Sequence, residues 1–470
     1  MQSRRLTTFS IALTLAASLL VEKSAHAQGW LADRRYNEGI GIKVGDFELH
    51  PAIGGEVGFD SNWFNRTYNT GYANSNPVPA GIFRITPSLY LSTLQAQRKE
   101  GDQNAEPPKV TFRLGASATY RAFIGDQEIL NQNGINGLSA DLNGRVDVLP
   151  QRPFSFGLQA GYDRTINPNT SGNTFQNFNQ NVLNAGADFT LKPGGGTLDW
   201  KFGYNGNFTF FDAGTATPFE NFQNTFFTRG NWRFGPKTSL IYDGNVALIN
   251  YQQQAIAING LMNSTPVRSR LGLNGLIGPR FALLAFAGYG GSFVDTGGNP
   301  AIQQYDSVIG QLEGRFFLTA NPAAEQDPNA VGLSVSALSI GYARDFAQSY
   351  LGSFYGSDKG YLKFSWFFGG RALISLEGAG SAREYPTVFI NPAGNTNPAN
   401  MTVAHASFVD PFIEATLFAE YRFSNTLGLN TTLRYGEEIS SVALPADNAG
   451  GLYHMAFRRF EAYLGFRWFM

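Results

Sequence analysis

The chain has 470 residues, of which 15% are charged and 14% aromatic, with 54 Gly and no Cys. Charges are scarce against the roughly 25% of an average soluble domain, which excludes a charge-rich disordered chain, and the lack of cysteine excludes a disulfide scaffold. A formal net charge of −1 leaves no basic footprint for nucleic acid, so none is expected as a partner.

Arg4 and Arg5 form a basic n-region, Leu6 to Val21 an apolar stretch, and Ala25-His26-Ala27 a small-residue cleavage site. This pattern predicts a secretory signal peptide over residues 1–27, because the apolar stretch is short for a spanning helix. Cleavage after Ala27 removes Arg4, Arg5, Lys23 and Glu22 and leaves 32 basic and 35 acidic residues, net −3. Residues 28–46 are expected to form a short periplasmic segment, and no later run of about 18 apolar residues predicts a spanning helix.

From near residue 47 apolar and polar residues alternate to the end of the chain. Phe47, Leu49, Ile53, Val57 and Phe59 share one face, as do Phe83, Ile85, Leu89 and Leu91. Val110 to Tyr120, Leu138 to Val148, Phe154 to Tyr162, Leu183 to Leu191 and Leu198 to Phe210 repeat the pattern. Further segments centre on Gly230, Tyr242, Leu271, Ala285, Leu312, Ile340, Phe364, Leu376, Ala415, Leu429 and Leu464, which makes 18 predicted strands. Each apolar face runs about 9–11 residues, the length that crosses a bilayer when tilted.

Connections alternate between short and long. Pro150-Gln151-Arg152-Pro153, Gly235-Pro236-Lys237, Gly278-Pro279-Arg280 and Ser424-Asn425-Thr426 have the chemistry of tight hairpins. Between them lie polar stretches such as 60–80, 165–180, 251–265, 386–406 and 437–451. A transmembrane barrel has short periplasmic turns and longer outer loops. Two inner turns, 96–108 and 319–331, are long and polar, and are candidate docking points for a periplasmic partner.

Charged side chains take the parity opposite the apolar face. The pore-lining candidates are therefore Arg113, Arg121, Arg145, Arg229, Arg233, Arg268, Arg270, Glu313, Arg315, Lys363, Glu414, Glu420, Arg422 and Arg434, together with the aromatic Tyr361. Their mixed sign predicts a hydrated, ion-paired wall without strong charge selection. Strand aromatics gather at the inner ends (Trp200, Trp232, Trp366, Phe368, Phe466, Trp468) and the outer ends (Tyr120, Tyr162, Tyr289, Tyr342, Tyr435), as two membrane interfaces require. Eighteen long strands without intervening helices exceed one ordinary sandwich. The predicted fold is an all-β, 18-stranded antiparallel outer-membrane barrel over residues 47–470.

Phe47-Glu48-Leu49-His50-Pro51, leading to Asp60-Ser61-Asn62, and Phe83-Arg84-Ile85-Thr86-Pro87-Ser88-Leu89 place a proline in each of the first two strands. Over residues 47–89 this resembles the β-barrel porin 2 family, whose members include barrels of Wzx/Wzy-type exopolysaccharide export. The resemblance implies an outer-membrane exit channel for a secreted polysaccharide, with a separate periplasmic polysaccharide-export protein as partner. By its own chemistry each proline is expected at a bulge or rim, because proline cannot donate to a ladder.

No catalytic, cofactor or metal constellation stands out. The four histidines are scattered, no cysteine offers a thiolate, and no calcium-loop spacing occurs. The alternatives to a polysaccharide exit are a diffusion porin for small hydrophilic solutes and a structural or adhesive barrel closed by its loops. Outer-membrane lipid is the expected surroundings in each case, in a Gram-negative cell. A cysteine placed at Asn395 is expected to react with an impermeant maleimide on intact cells, and one at Gly195 is not; the reverse labelling would invert the sidedness.

Overall fold

The computed structural model describes residues 40–94, 108–125, 137–166, 178–193, 196–212, 214–252, 261–318, 336–368, 371–390, 401–445 and 452–470. The signal segment and the inner turns at 95–107 and 319–335 lie outside them. The barrel strands are β1 Phe47–Asp60, β2 Ala80–Thr93, β3 Val110–Gly125, β4 Gly137–Val148, β5 Phe154–Thr165 and β6 Gln180–Leu191. They continue as β7 Leu198–Phe211, β8 Asn221–Arg233, β9 Thr238–Tyr251, β10 Ser264–Gly278, β11 Phe281–Val294 and β12 Tyr305–Phe317. The last six are β13 Ala337–Ser349, β14 Ser353–Phe368, β15 Ala372–Tyr385, β16 Phe408–Ser424, β17 Leu427–Glu438 and β18 Phe457–Phe469.

Each strand pairs antiparallel with its sequence neighbours, and β18 returns to β1 from Ala52↔Phe469 to Asp60↔Glu461. The result is a closed 18-stranded barrel, wide enough for an aqueous lumen. No helix among the described residues is long and apolar enough to cross a membrane; the strands do the crossing.

Period-2 alternation explains the two faces. Ile53, Val57, Phe83, Leu89, Leu114, Leu271, Leu312, Ile340 and Leu464 stand exposed on the outside, where lipid rather than protein covers them. Trp232, Phe234, Trp366, Phe368, Phe466 and Trp468 ring the inner end of this band, with Tyr120, Tyr289 and Tyr342 at the outer end. The inner connections are tight where described: the Gly235 N–H donates to the Thr238 carbonyl across Pro236-Lys237.

One local expectation, on Pro87, is corrected, and two details are added at the seam. The segment before the barrel is not wholly free, because Ile42–Val44 pairs with Phe47–Leu49 and lies on the edge of β1 below the end of β18. Pro51 sits at the lower end of the seam, where its carbonyl accepts from the Met470 N–H at 3.0 Å. Pro87 makes neither a bulge nor a rim. Its strand keeps one register against β3, Ile85↔Tyr120 and then Ser88↔Ser117, with the pairing lapsed at Thr86 and Pro87. The missing donor costs ladder bonds but inserts no residue, and Thr86 Oγ1 and Thr119 Oγ1 bridge the lapse at 2.9 Å.

Gly272 and Gly288 fix the closest strand approach. A Cβ on Gly288 would collide with the Ser269 carbonyl oxygen and the Arg270 backbone, and one on Gly272 with the Ala285 carbonyl oxygen. Backbone cannot step aside as a flexible side chain can, so Gly288→Val is expected to destabilise by about 1–3 kcal/mol. The check is heat-modifiable electrophoretic mobility, in which the folded band should be lost at a lower temperature than in the wild type.

Candidate functional site

Along the parity opposite the apolar face the strands bring charged groups together, and the wall neutralises most of those described in pairs. Arg145 on β4 meets Asp147 at 2.6 Å and Asp188 on β6 at 2.8 Å. Arg229 meets Asp243 at 3.1 Å, and Asp243 also holds Arg270. Asp345 on β13 receives Arg268 at 2.9 Å and Arg270 at 3.5 Å. Glu313 takes Arg315 at 2.8 Å and the Tyr361 hydroxyl at 2.7 Å. Glu414 takes Lys359 at 2.7 Å, and Glu420 takes both Arg422 and Arg467. Arg434 meets Glu461 at 3.6 Å, and Lys363 lies 5.5 Å from the centre of the Tyr361 ring.

Arg113 and Arg145 face each other across β3 and β4, and Arg121 stands opposite Arg84 across β2 and β3. Arg233 ends β8, apart from the others, and pairs in register with Ser239 at the inner rim. By register and ion pairing these residues form separate groups along the wall rather than one ladder.

The outer mouth holds what alternation alone does not reveal. The β12–β13 ladder stops at Gly310↔Arg344, although β12 continues outward to Tyr305 and β13 to Ser349. Above that point β13 stays paired with β14, up to Ser349↔Ser353, and the hairpin tip at 350–352 leaves the wall. Gly352 and Ser353 both take the left-handed backbone conformation, at φ 73° and 70°, which closes this tight turn. The Gln348 amide donates to the Tyr251 hydroxyl of β9 at 2.6 Å. Tyr350 packs edge-on against Phe219 at 5.2 Å and against Phe211 of β7 at 6.3 Å.

β7 lies six strands from β13, about 29 Å along the wall at the spacing of paired strands. Rings in contact over that separation must meet through the mouth. On the other side of the tip, Leu351 is buried among Tyr385, Val388, Val442, Leu444, Tyr453 and Met455. Arg268 anchors the base of the tip: it donates to the Phe346 carbonyl and lies 3.9 Å from the centre of that ring.

A second segment folds in beside it. Trp63 and Phe64, from the connection between β1 and β2, are buried with Ile82, Phe123, Ile166 and Tyr463. Asn62 clamps the turn: its amide donates to the Arg66 and Arg458 carbonyls at 2.7 and 2.9 Å, and its oxygen accepts from the Arg66 N–H. Asn74 exchanges two bonds with the His454 backbone, at 2.8 and 3.0 Å. His454 belongs to a short hairpin, Ala443–Pro445 with Leu452–His454, inside the β17–β18 connection. The outer loops are thus not merely polar, as their composition predicts; they interlock over the mouth around apolar clusters. The sequence carries one usable signal of this. Ile82, Phe123, Tyr305 and Ile309 are apolar residues on the charged parity, confined to the outer ends of their strands.

Among the described residues no cluster of three or more His, Asp or Glu side chains could hold a metal. His50 is buried at the inner seam between Glu48, at 3.0 Å, and the Met470 carbonyl, at 3.2 Å.

No protein-family model and no curated protein matches the chain. Among solved structures it is similar to OpdQ of Pseudomonas aeruginosa, at 10% identity over 91% of this chain and 98% of that one, with a TM-score of 0.45. It is also similar to OccAB3 of Acinetobacter baumannii, at 10% identity, 91% and 100% coverage and a TM-score of 0.45. An anion-selective porin from Comamonas acidovorans follows at 10% identity, 90% and 99% coverage and a TM-score of 0.34. At such identities and scores the likeness carries no functional argument.

His454 lies outside the membrane-spanning strands, and burial holds its pKa below the usual histidine value. Its Nδ1 accepts the Ala456 N–H at 3.2 Å, so a proton there removes the bond. Because the folded-state pKa is depressed, this contact is at full strength above about pH 6.5 and weakens as the pH falls below it. Hydrogen exchange over residues 61–79, corrected for intrinsic rates, is expected to rise between pH 7 and pH 5. In His454→Gln the rise should be absent.

Proposed function

We propose that the chain is an outer-membrane channel for small hydrophilic solutes, delivered by its signal peptide and gated at the outer mouth by the β13–β14 hairpin. The observation that carries this reading is an ion-paired wall beneath a hairpin tip that has left its wall neighbour to cross the mouth. The mechanism is passage without bond making: the wall supplies replacement hydrogen bonds for the solute's hydration shell, and the tip sets the bore. In the open state the tip rejoins β12. Extending the register from Gly310↔Arg344 brings Ile309 opposite Asp345 and Ser307 opposite Ala347.

Two locks test this in planar bilayers. Ser307→Cys with Ala347→Cys is expected to form a disulfide only when the strands rejoin, since directly opposed Cα atoms then lie about 4.5–5.5 Å apart, within the span a disulfide bridges. Oxidation should raise conductance several-fold and reductant should reverse it. A short bismaleimide joining Tyr251→Cys to Gln348→Cys should hold the tip across the mouth and suppress conductance. Equal conductance in both locked forms would end the gating reading, and no conductance in either would end the channel reading.

A second reading is a polysaccharide exit working with a separate periplasmic export protein, favoured by the residues at 47–89. It predicts that clean deletion of the gene removes surface polysaccharide and leaves other exported proteins unchanged. An unaltered coat would leave the solute channel standing alone.

A further inference from the structure

We infer that the inward face of β5–β8 carries a subsite for a short neutral saccharide, built from an aromatic ring laid over glycine and a band of amides. The inference rests on the channel reading and names the solute class for it.

On these strands Leu158, Leu183, Phe202 and Phe226 take the outward parity and stand exposed. The residues between them point inward, and the register sets them in cross-strand rows. One row runs Gly161↔Asn184, Asn184↔Asn207 and Asn207↔Gln223. The next, toward the inner end, runs Gln159↔Gly186, Gly186↔Asn205 and Asn205↔Thr225. The third contains Asp188↔Gly203 and Gly203↔Phe227.

Side chains lie down over the glycines of these rows. A Cβ on Gly203 would fall 2.3, 2.6 and 2.9 Å from three atoms of the Phe227 ring, so the ring covers that stretch of β7. One on Gly161 would meet the Asn184 amide nitrogen at 2.7 Å, and one on Gly186 the Asn205 amide oxygen at 2.9 Å. Phe227 and the amides remain half-buried rather than sealed. Arg229 lies 5.4 Å from the centre of the Phe227 ring, against 3.9 Å for Arg268 on Phe346, and so flanks the ring without stacking closely on it.

An apolar ring face beside paired donors and acceptors is what a pyranose needs. Its C–H face packs on an aromatic ring, and its vicinal hydroxyls match the N–H and C=O that each amide holds side by side. Within the band Gln159 donates to Asn205 at 3.5 Å, Asn205 to Asn207 at 3.2 Å and Gln223 to Thr225 at 3.1 Å. Each amide has a second N–H, so donors remain for a ligand. Charges border the band and are mostly paired there. Buried Asp188 takes Arg145 at 2.8 Å and Lys201 at 3.2 Å, and Arg229 takes Asp243 at 3.1 Å. Asp141 and Asp163 stand opposite each other at the outer corner. Between these borders the two amide rows hold no charged residue, which favours a neutral ligand.

The test is saturation-transfer NMR on the full-length detergent-solubilised barrel, with maltotriose as probe and sorbitol, which has the hydroxyls but no ring, as control. Maltotriose is expected to give a signal about threefold or more above sorbitol. The excess should disappear in Phe227→Ala, persist in Phe227→Tyr, and fall in Asn207→Ala. If Phe227→Ala loses its heat-modifiable mobility, Phe227→Leu is read instead, because it keeps apolar volume without a ring. Raising NaCl from about 50 to 500 mM should leave the maltotriose signal unchanged, since no ion pair is screened. Equal signals for the two probes, no signal from either, or a full signal in Phe227→Leu would each overturn the subsite. Displacement of maltotriose by a long dextran far better than by glucose, unit for unit, would overturn the small-solute assignment in favour of a chain. Binding is read here without transport. A barrel that conducts in the open lock but shows no preference loses the subsite alone, whereas one that binds maltotriose but never conducts loses the channel.

Discussion

Everything in this molecule depends on the closure of one hydrogen-bonded sheet. A strand facing hydrocarbon cannot leave N–H or C=O groups exposed, so a membrane sheet must have no edge. The β1–β18 ladder removes the edge along the span of the barrel. Below it β18 runs out, and the chain covers the remaining edge of β1 with the Ile42–Val44 strand. Pro51 falls at the junction, where the Met470 N–H reaches its carbonyl and the proline's missing donor goes unmissed.

Closure with 18 strands has a consequence inside. The circumference is too large for side chains to fill the bore, so the inward face must be content with water. Mixed charges achieve this, because each pair holds the wall while remaining solvated.

The mouth obeys a different rule. Above the membrane the strands no longer need lipid on one side, and apolar residues can turn inward wherever loops bring them partners. Tyr305, Phe346 and Phe354 fill the space where β12 and β13 separate, with ring centres 4.6 and 5.8 Å apart. A ladder given up there costs backbone hydrogen bonds, which aromatic burial and the contacts of the tip offset. Two arrangements of similar energy are what a gate requires, because discrete packing alternatives switch rather than deform continuously.

The sequence by itself determined the number of strands, the face of each side chain and the two aromatic belts, because all three follow from period-2 alternation within single segments. It put charged residues, including Arg121, Glu313 and Arg434, on the parity opposite the apolar face, without revealing their partners. It misread Pro87 as a bulge or rim, since a lapse in pairing leaves no mark on the alternation. Only the tertiary structure decided the contacts across the mouth and the pattern of charge sharing. The contacts that make them, Tyr350 with Phe211, Asn74 with His454 and Arg268 with Asp345, join residues far apart in the chain through the space the barrel encloses. Local periodicity fixes which way a side chain points, but not what it meets there.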